Sequence, residues 1–345
     1  MTSISATSLN DIVVAMPCYN SQTTIGETLE NVLGQTHKEF RVVVYDDGST
    51  DTSPDIVRSF ERRDSRVVLH RNEINQGRPQ ARNALLALVP DAILAWQDAD
   101  DLWHPTKLAK QVSFYENKYQ QCSDEKIAVV SSLERCRPKG EIDVDHRYLS
   151  KVLSQGYYGE LHPPHVYDLN FICSDKYMSF PFYLQSTFAR ATHFIEAGGF
   201  DPELPWYEDL DMGIKLLGIG IKIFGLKSEV ALAYYFSGAP RLAPDIVTAC
   251  LKRIYSNNKD FMSASGIDVQ YDFSLRNLTL LFLGMIRKRE FSTALEILAQ
   301  NSTFALTRSE LKELFISNVE VLQKALRASE SIDPYHRIVS SQALP

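Results

Sequence analysis

Three carboxylates crowd into four positions in the stretch QDADDLWHP (97–105), where Asp98, Asp100 and Asp101 directly follow an apolar run. Like charge so concentrated is costly unless a cation or a hydrogen-bond network neutralises it. Carboxylate oxygens suit Mg²⁺ or Mn²⁺, ions that keep several waters and take substrate phosphates as further ligands. An ion held there would stabilise a departing diphosphate. Taken alone, the same residues describe a solvated acidic turn that caps a helix beginning near Pro105. A second acidic pair weakens that reading. YDDGST (45–50) leaves another apolar run, FRVVV, with Asp46 and Asp47 side by side.

Two further segments carry chemistry. WYEDLDMGIKLLGIG (206–220) has Leu210, Ile214 and Leu217 on one helical stripe, with Glu208 and Asp209 at the start, where the helix dipole favours negative charge. Asp209 is a candidate general base for an attacking hydroxyl. Held ionised by the dipole it would be a weak base, best suited to a proton transfer that comes late. In NEINQGRPQARNALL (72–86), Arg78 and Arg82 lie four apart and share one helix face near its N-terminus. Such a pair holds phosphate or orients neighbouring acids, unless it is simply a salt-bridged solvent face, a reading that suits Arg78 better than Arg82.

Something must bring these clusters together. DIVVAM (11–16), FRVVVY (40–45), RVVLH (66–70) and AILAWQ (92–97) read as buried strands. They alternate with helical patterns over 23–35, from Ser53-Pro54 through PDIVRSFERR, and over 78–89. Thr24 and Glu27 match a capping box, and Ser53 is placed to cap the second helix. Strands this apolar, separated by helices of this length, predict a mainly parallel sheet covered on both faces. Ligands bind such sheets where the strands' carboxyl ends emerge. Each strand is followed there by polar residues: PCYN, DDGST, RNEINQG and DADD. Further along, KIAVVSS, SFPFYLQSTF and IKIFGL read as strands. The segment 137–179, rich in Tyr, His and Pro, reads as a long structured loop of the kind that serves substrates. The stretches 245–264, 273–288, 291–300 and 307–329 read as helices. The expected organisation is a domain over 1–239, with a nucleotide-binding half at 11–104 and an acceptor half at 105–239, followed by a helical region at 240–345.

Bulk properties bound the function. The 345 residues carry a net charge of −7, with 44% hydrophobic and 23% charged residues, an ordinary globular composition. The acidic balance argues against a nucleic-acid partner. Five scattered cysteines without a CxxC pair fit reduced thiols better than a disulfide framework or a zinc site. MTSISATSLN lacks the marks of a signal peptide, and LTLLFLGMI is too short to span a bilayer. A cytoplasmic location is expected, with peripheral attachment to the inner face of the membrane left open.

VVAMPCYN, YDDGSTD, NQGRPQARN, DADDLWHPTKL, GGFDPEL and EDLDMGIKL, in that order over residues 11 to about 236, resemble family 2 glycosyltransferases, inverting enzymes of the GT-A fold. The resemblance implies an α/β fold with a mixed, mainly parallel sheet. It also implies a hexosyltransferase-type enzyme that moves a sugar from a nucleotide diphosphate, UDP favoured, to an acceptor hydroxyl in surface polysaccharide or glycoconjugate synthesis. Asp47 would accept a hydrogen bond from the base, with Pro17, Tyr19 and Asn20 lining the pocket. Asp46 would orient its loop, and Gly48 would allow the turn. Asp98 would approach the ribose or the cation, Asp100 would bind Mn²⁺ or Mg²⁺, and Ala99 and Asp101 would lie by the donor. Arg82 would brace the donor site, and Asp209 would be the base. The QxxRW motif of processive members is missing, so one or a few sugars per encounter are expected. YYFSGAPR replaces the histidine-bearing stretch of many relatives, which makes Arg241 a candidate source of charge there.

Trp103, Trp206 and Glu208 are candidate acceptor or sugar contacts; Trp103, Trp206, Tyr157 and Tyr158 could form a sugar-stacking platform, with packing the default for each and Trp206 the preferred contact. His162, His165 and His193 match no zinc spacing. Basic stretches at 251–259 and 285–290 fit membrane contact, a homodimer or a solvated face. The acceptor could be a glycan, a lipid-linked oligosaccharide or a protein. A nucleotidyltransferase would need a glycine-rich basic loop near the N-terminus, and VVAMPCYNSQ lacks one. The alternative from another class is a non-catalytic nucleotide-sugar-binding or scaffold protein on the same fold, which would have no need of both the metal acids and the base.

Overall fold

The computed structural model describes residues 11–122, 126–131, 133–136, 159–161, 182–226, 232–235 and 244–264. Strand β1 (Ile12–Cys18) leads to helix α1 (Ile25–Leu33), β2 (Arg41–Asp47), α2 (Ser53–Glu61), β3 (Val67–Asn72), α3 (Arg78–Leu88) and β4 (Ile93–Trp96). Helix capping differs in detail from expectation. Thr24 makes no side-chain cap, so the capping box does not form. Thr52 rather than Ser53 precedes α2, because the Ser53 hydroxyl is turned inward to accept the Ser21 N–H. The second half comprises β5 (Leu102–Trp103), α4 (Lys107–Cys122), β6 (Ile127–Ser131), β7 (Leu133–Cys136) and β8 (Gly159–Leu161). It continues with β9 (Thr187–Arg190), α5 (Ala191–Glu196), α6 (Glu208–Gly218), β10 (Lys222–Leu226), β11 (Leu232–Tyr235) and α7 (Pro244–Ala264). Within the run SFPFYLQSTF, expected as strand, Leu184–Ser186 form a 3₁₀ turn and Thr187 and Phe188 begin β9.

The main sheet has the order β3-β2-β1-β4-β9-β6-β10-β8. Neighbours among β3, β2, β1 and β4 are parallel, and so are β6 and β10; β9 runs antiparallel between β4 and β6, and β8 runs antiparallel to β10. A small sheet of β5, β11 and β7 joins segments that sequence periodicity did not connect. The core is formed by the wholly buried strand residues Val13, Val14, Ala15, Val42 and Val44, with Leu94, Val129 and Phe188 across the sheet. Trp96 packs edge-on against Phe194 at 5.7 Å and Phe200 at 5.5 Å.

Register explains why the polar clusters meet. Cys18 stands opposite Asp46, Asp47 opposite Asn72, and Ala15 opposite Trp96. Parallel pairing therefore ends β1, β2, β3 and β4 on one rim. Because β9 is antiparallel to β4, its entry turn arrives at that same rim. The segments 137–158, 162–181, 236–243 and 265–345, which include Tyr157, Tyr158, His162, His165, Arg241 and the helices expected over 273–329, lie outside the described residues. His193 is buried in α5.

Candidate active site

The loops after β1 and β2 are tied together by short polar contacts. Asn20, in the left-handed region at φ 48°, donates its N–H to Ser49 and accepts the Thr50 N–H on its side chain, both at 2.9 Å. Asp46 is fully buried, accepts the Ser49 N–H and pairs with Arg71 at 3.1 Å. Asp47 accepts the N–H groups of Gln76 (3.1 Å) and Gly77 (2.8 Å) and so fastens the loop that enters α3. Any contact from a nucleotide base would use the lone-pair capacity left over. Gly48, at φ +74°, passes so close to this loop that a Cβ would sit 2.7 Å from Asn75 N. Pro17 is half-buried beside Tyr19, which is 47% exposed at the mouth of this corner.

The acids converge on Arg82. Its side chain is 2% exposed and reaches Glu208 Oε1 at 2.5 Å and Asp98 Oδ1 at 3.2 Å. Arg78, 48% exposed, lies 3.5 Å from Glu208 and places its guanidinium 5.8 Å from the ring of half-buried Trp206. Gln185 donates to the other oxygen of Asp98 from the turn before β9. Sequence reasoning missed Gln185: it arrives through antiparallel pairing, and nothing in LQS marks it. It also missed Asn83, whose side chain accepts the Phe200 N–H and donates to the Phe200 carbonyl, both at 2.8 Å.

The charges settle unequally. Desolvation works to raise Asp98, but Arg82 and Arg78 outweigh it and hold the carboxyl below its usual range. Asp100 is pushed up to about 6, first by burial and then by the charge of Asp98. Asp209, half-buried at the start of α6, is pushed up to about 7 by burial and by Glu208, against the pull of Arg82, the Leu210 N–H and Arg78. Asp209 thus holds its proton more tightly than the helix-start position led us to expect, with burial the largest cause. The residue before this pair, Tyr207, sits in the left-handed region at φ 63°. Such backbone strain clusters where a site must be held in one geometry.

Three expectations change here. Trp103 is 2% exposed and its ring is covered by Lys107 Nζ at 3.6 Å, so it offers no face to a sugar. Glu208 is 4% exposed and taken up by the two arginines, which makes it a structural partner of Arg82 rather than an acceptor contact. Asp101 is fully enclosed next to buried Lys107, so its carboxylate presents no exposed face to a donor. Ala99 is also buried, and its carbonyl accepts the Thr28 hydroxyl.

No group of three acidic, His or Cys ligands forms a ready cation cage among the described residues. The donor set fits a different arrangement. Asp100, with its ionisation opposed by Asp98, suits an ion held by one or two carboxylates and completed by phosphate and water.

Residues 13–161 match the sequence model of glycosyl transferase family 2. The chain is 34% identical over 107 residues to the Escherichia coli UDP-Glc:alpha-D-GlcNAc-diphosphoundecaprenol beta-1,3-glucosyltransferase WfaP, covering 31% of this chain and 42% of that one. It is 36% identical over 103 residues to the putative teichuronic acid biosynthesis glycosyltransferase TuaG of Bacillus subtilis, covering 30% and 41%. The chain therefore spans about two-fifths of the length of these relatives. Among solved structures, S. aureus TarS 1-349 in complex with UDP-GlcNAc superposes with a TM-score of 0.54 at 18% identity, covering 72% of this chain and 66% of that one. The mannosyltransferase PcManGT from Pyrobaculum calidifontis, in complex with GDP-Man and Mn²⁺, superposes at 0.50 and 19%, covering 96% and 84%.

Proposed function

We propose that this chain, whose residues 13–161 match the glycosyl transferase family 2 model and whose fold is the GT-A fold, transfers a sugar, with inversion, from a nucleotide-diphosphate sugar to an acceptor hydroxyl. The observation that carries the reading is the convergence of Asp98 and Glu208 on buried Arg82, with Asp209 next to Glu208 raised to about 7. A base poised near neutral pH matches the demand of general-base catalysis.

In this reading Pro17, Tyr19, Asn20 and Asp47 receive the nucleotide, and Arg78 and Arg82 neutralise its phosphates as well as the acids. The acceptor oxygen attacks the anomeric carbon from the face opposite the diphosphate. One carbon–oxygen bond forms as the other breaks, the diphosphate leaves with the electron pair, and Asp209 takes the hydroxyl proton. Asp100 and Asp98 would hold a divalent cation, Mn²⁺ or Mg²⁺, which when bound neutralises the leaving diphosphate. Trp206, half-buried beside Asp209 and braced by Arg78, is the surface offered to the acceptor. A UDP-sugar donor and a lipid-linked or glycan acceptor in polysaccharide synthesis are supported by the activity in the printed name of WfaP, the relative at 34% identity. No described helix is long and apolar enough to cross a membrane.

The test is release of nucleotide diphosphate from a panel of nucleotide sugars with Mn²⁺ or Mg²⁺. The wild type should release one diphosphate in a metal-dependent manner, Asp100→Ala should lose the metal dependence with the activity, and Asp209→Asn should bind donor without transferring. Failure of the wild type to bind or hydrolyse any nucleotide sugar would overturn the reading.

A further inference from the structure

Helix α7 comes last among the described elements, and its buried side chains engage the two segments that support Asp209. Cys250, Ile254 and Asn258 fall on one helical stripe and are all buried. Asn258 Nδ2 donates to Asp211 Oδ1 at 2.7 Å, Asn257 reaches the same oxygen at 3.3 Å, and Lys215 pairs with the other Asp211 oxygen at 2.7 Å. Asp211 is 1% exposed, so α7 supplies hydrogen bonds to a charge that would be costly to leave bare. Asn257 also donates to Asp201 at 2.7 Å, and Arg253 grips Asp201 with bonds of 2.5 and 2.9 Å. Cys250 receives the Trp206 N–H.

Asp209 and Asp211 are two residues apart on α6, so they point to nearly opposite sides of the helix. Any rotation of α6 about its axis moves the base as it moves Asp211. We propose that Asn258, acting through Asp211, is a positioning residue that fixes the rotation of α6 and thereby aims Asp209 into the site. The proposal rests on Asp209 being the base of the reading above, and its first readout does not depend on turnover.

That readout is the titration of the Asp209 carboxyl followed by NMR in full-length free protein. Facing Asp209 are Glu208 on its own helix, Arg82 and Arg78 from α3, and Tyr207 from the preceding turn. In Asn258→Ala the midpoint should move from about 7 toward the ordinary carboxylate range, because a turned helix exposes the group and changes its distance to those charges. The second readout is transfer. kcat should fall at least about tenfold with the Kd for nucleotide diphosphate unchanged, since small misplacements of a base act on the chemical step. The exchange pair Asp211→Asn with Asn258→Asp, which reverses donor and acceptor, should restore both. A folded Asn258→Ala that loses only thermal stability, with the midpoint and kcat of the wild type, would overturn the proposal. If Asn258→Ala does not fold, Asn258→Ser takes its place under the same criteria. A wild type that binds no nucleotide sugar would count against the function while leaving the NMR arm to decide the positioning.

Discussion

At the scale of single residues, the site is a contest for two arginines. Asp98 and Glu208 win them, and Asp100 and Asp209 are left with raised affinities for protons. The sign for catalysis follows. Asp209 accepts a proton only when ionised, so kcat/KM should climb tenfold per pH unit below about 7 and level off above it. A pH profile in a cation-saturated assay checks this, and a flat profile from pH 5 to 8 would remove Asp209 from the role. Arg82 makes a sharper test of structure. Replacing it by Gln leaves two carboxylates at a buried site without their cation, a loss of about 3–5 kcal/mol by analogy with broken buried ion pairs. Denaturant unfolding of Arg82→Gln should show that loss. Arg78→Gln, at a half-exposed position, should lose well under half as much.

At the scale of elements, loop attachment decides what the rim can hold. Gly48 combines a positive φ with a Cβ position only 2.7 Å from backbone, so Gly48→Ala must push back the loop that Asp47 clasps. Nucleotide affinity should drop at least about tenfold, and isothermal titration with UDP would measure it; unchanged affinity would mean the loop can give way. The four early strands and their rim were legible in the sequence because each apolar run ends in a polar cluster. The 3₁₀ turn that delivers Gln185 was not legible, since its position depends on β9 pairing antiparallel to β4, a long-range choice that local periodicity does not encode. Burial of Trp103 and Asp101 was hidden for a related reason. Lys107, which covers both, reads in sequence as an ordinary surface lysine at the start of a helix. The ED pair and the arginines were placed correctly at helix starts, but their mutual pairing joins residues 126 apart.

At the scale of the molecule, α7 is part of the same compact unit as the sheet, which extends through Val269. Its attachment should be sensitive to acid. Asp201 is desolvated, yet its bonds from Arg253, Asn257 and the Glu203 N–H lower its pKa from 3.8 to about 2. A depressed carboxylate contributes stability that is complete above its unfolded pKa and disappears as pH falls through the folded one. Melting of the wild type should therefore drop between about pH 4 and pH 2, and the part of that slope due to Asp201 should be missing in Asp201→Asn. Equal slopes for the two proteins would show that the clasp of α7 carries no net linkage.

The pairing of Arg82 with Glu208 has a further consequence for how the protein comes into being. During synthesis α3 emerges long before α6, so the growing chain carries a buried-to-be guanidinium that has only Asp98 for company. Its second counter-charge exists only once residue 208 has left the ribosome. Chains arrested before that point should leave α3 open to protease, and chains arrested beyond α7 should protect it. The cluster around Arg82 is in this sense assembled last, when the two halves of the chain first have something to neutralise in each other.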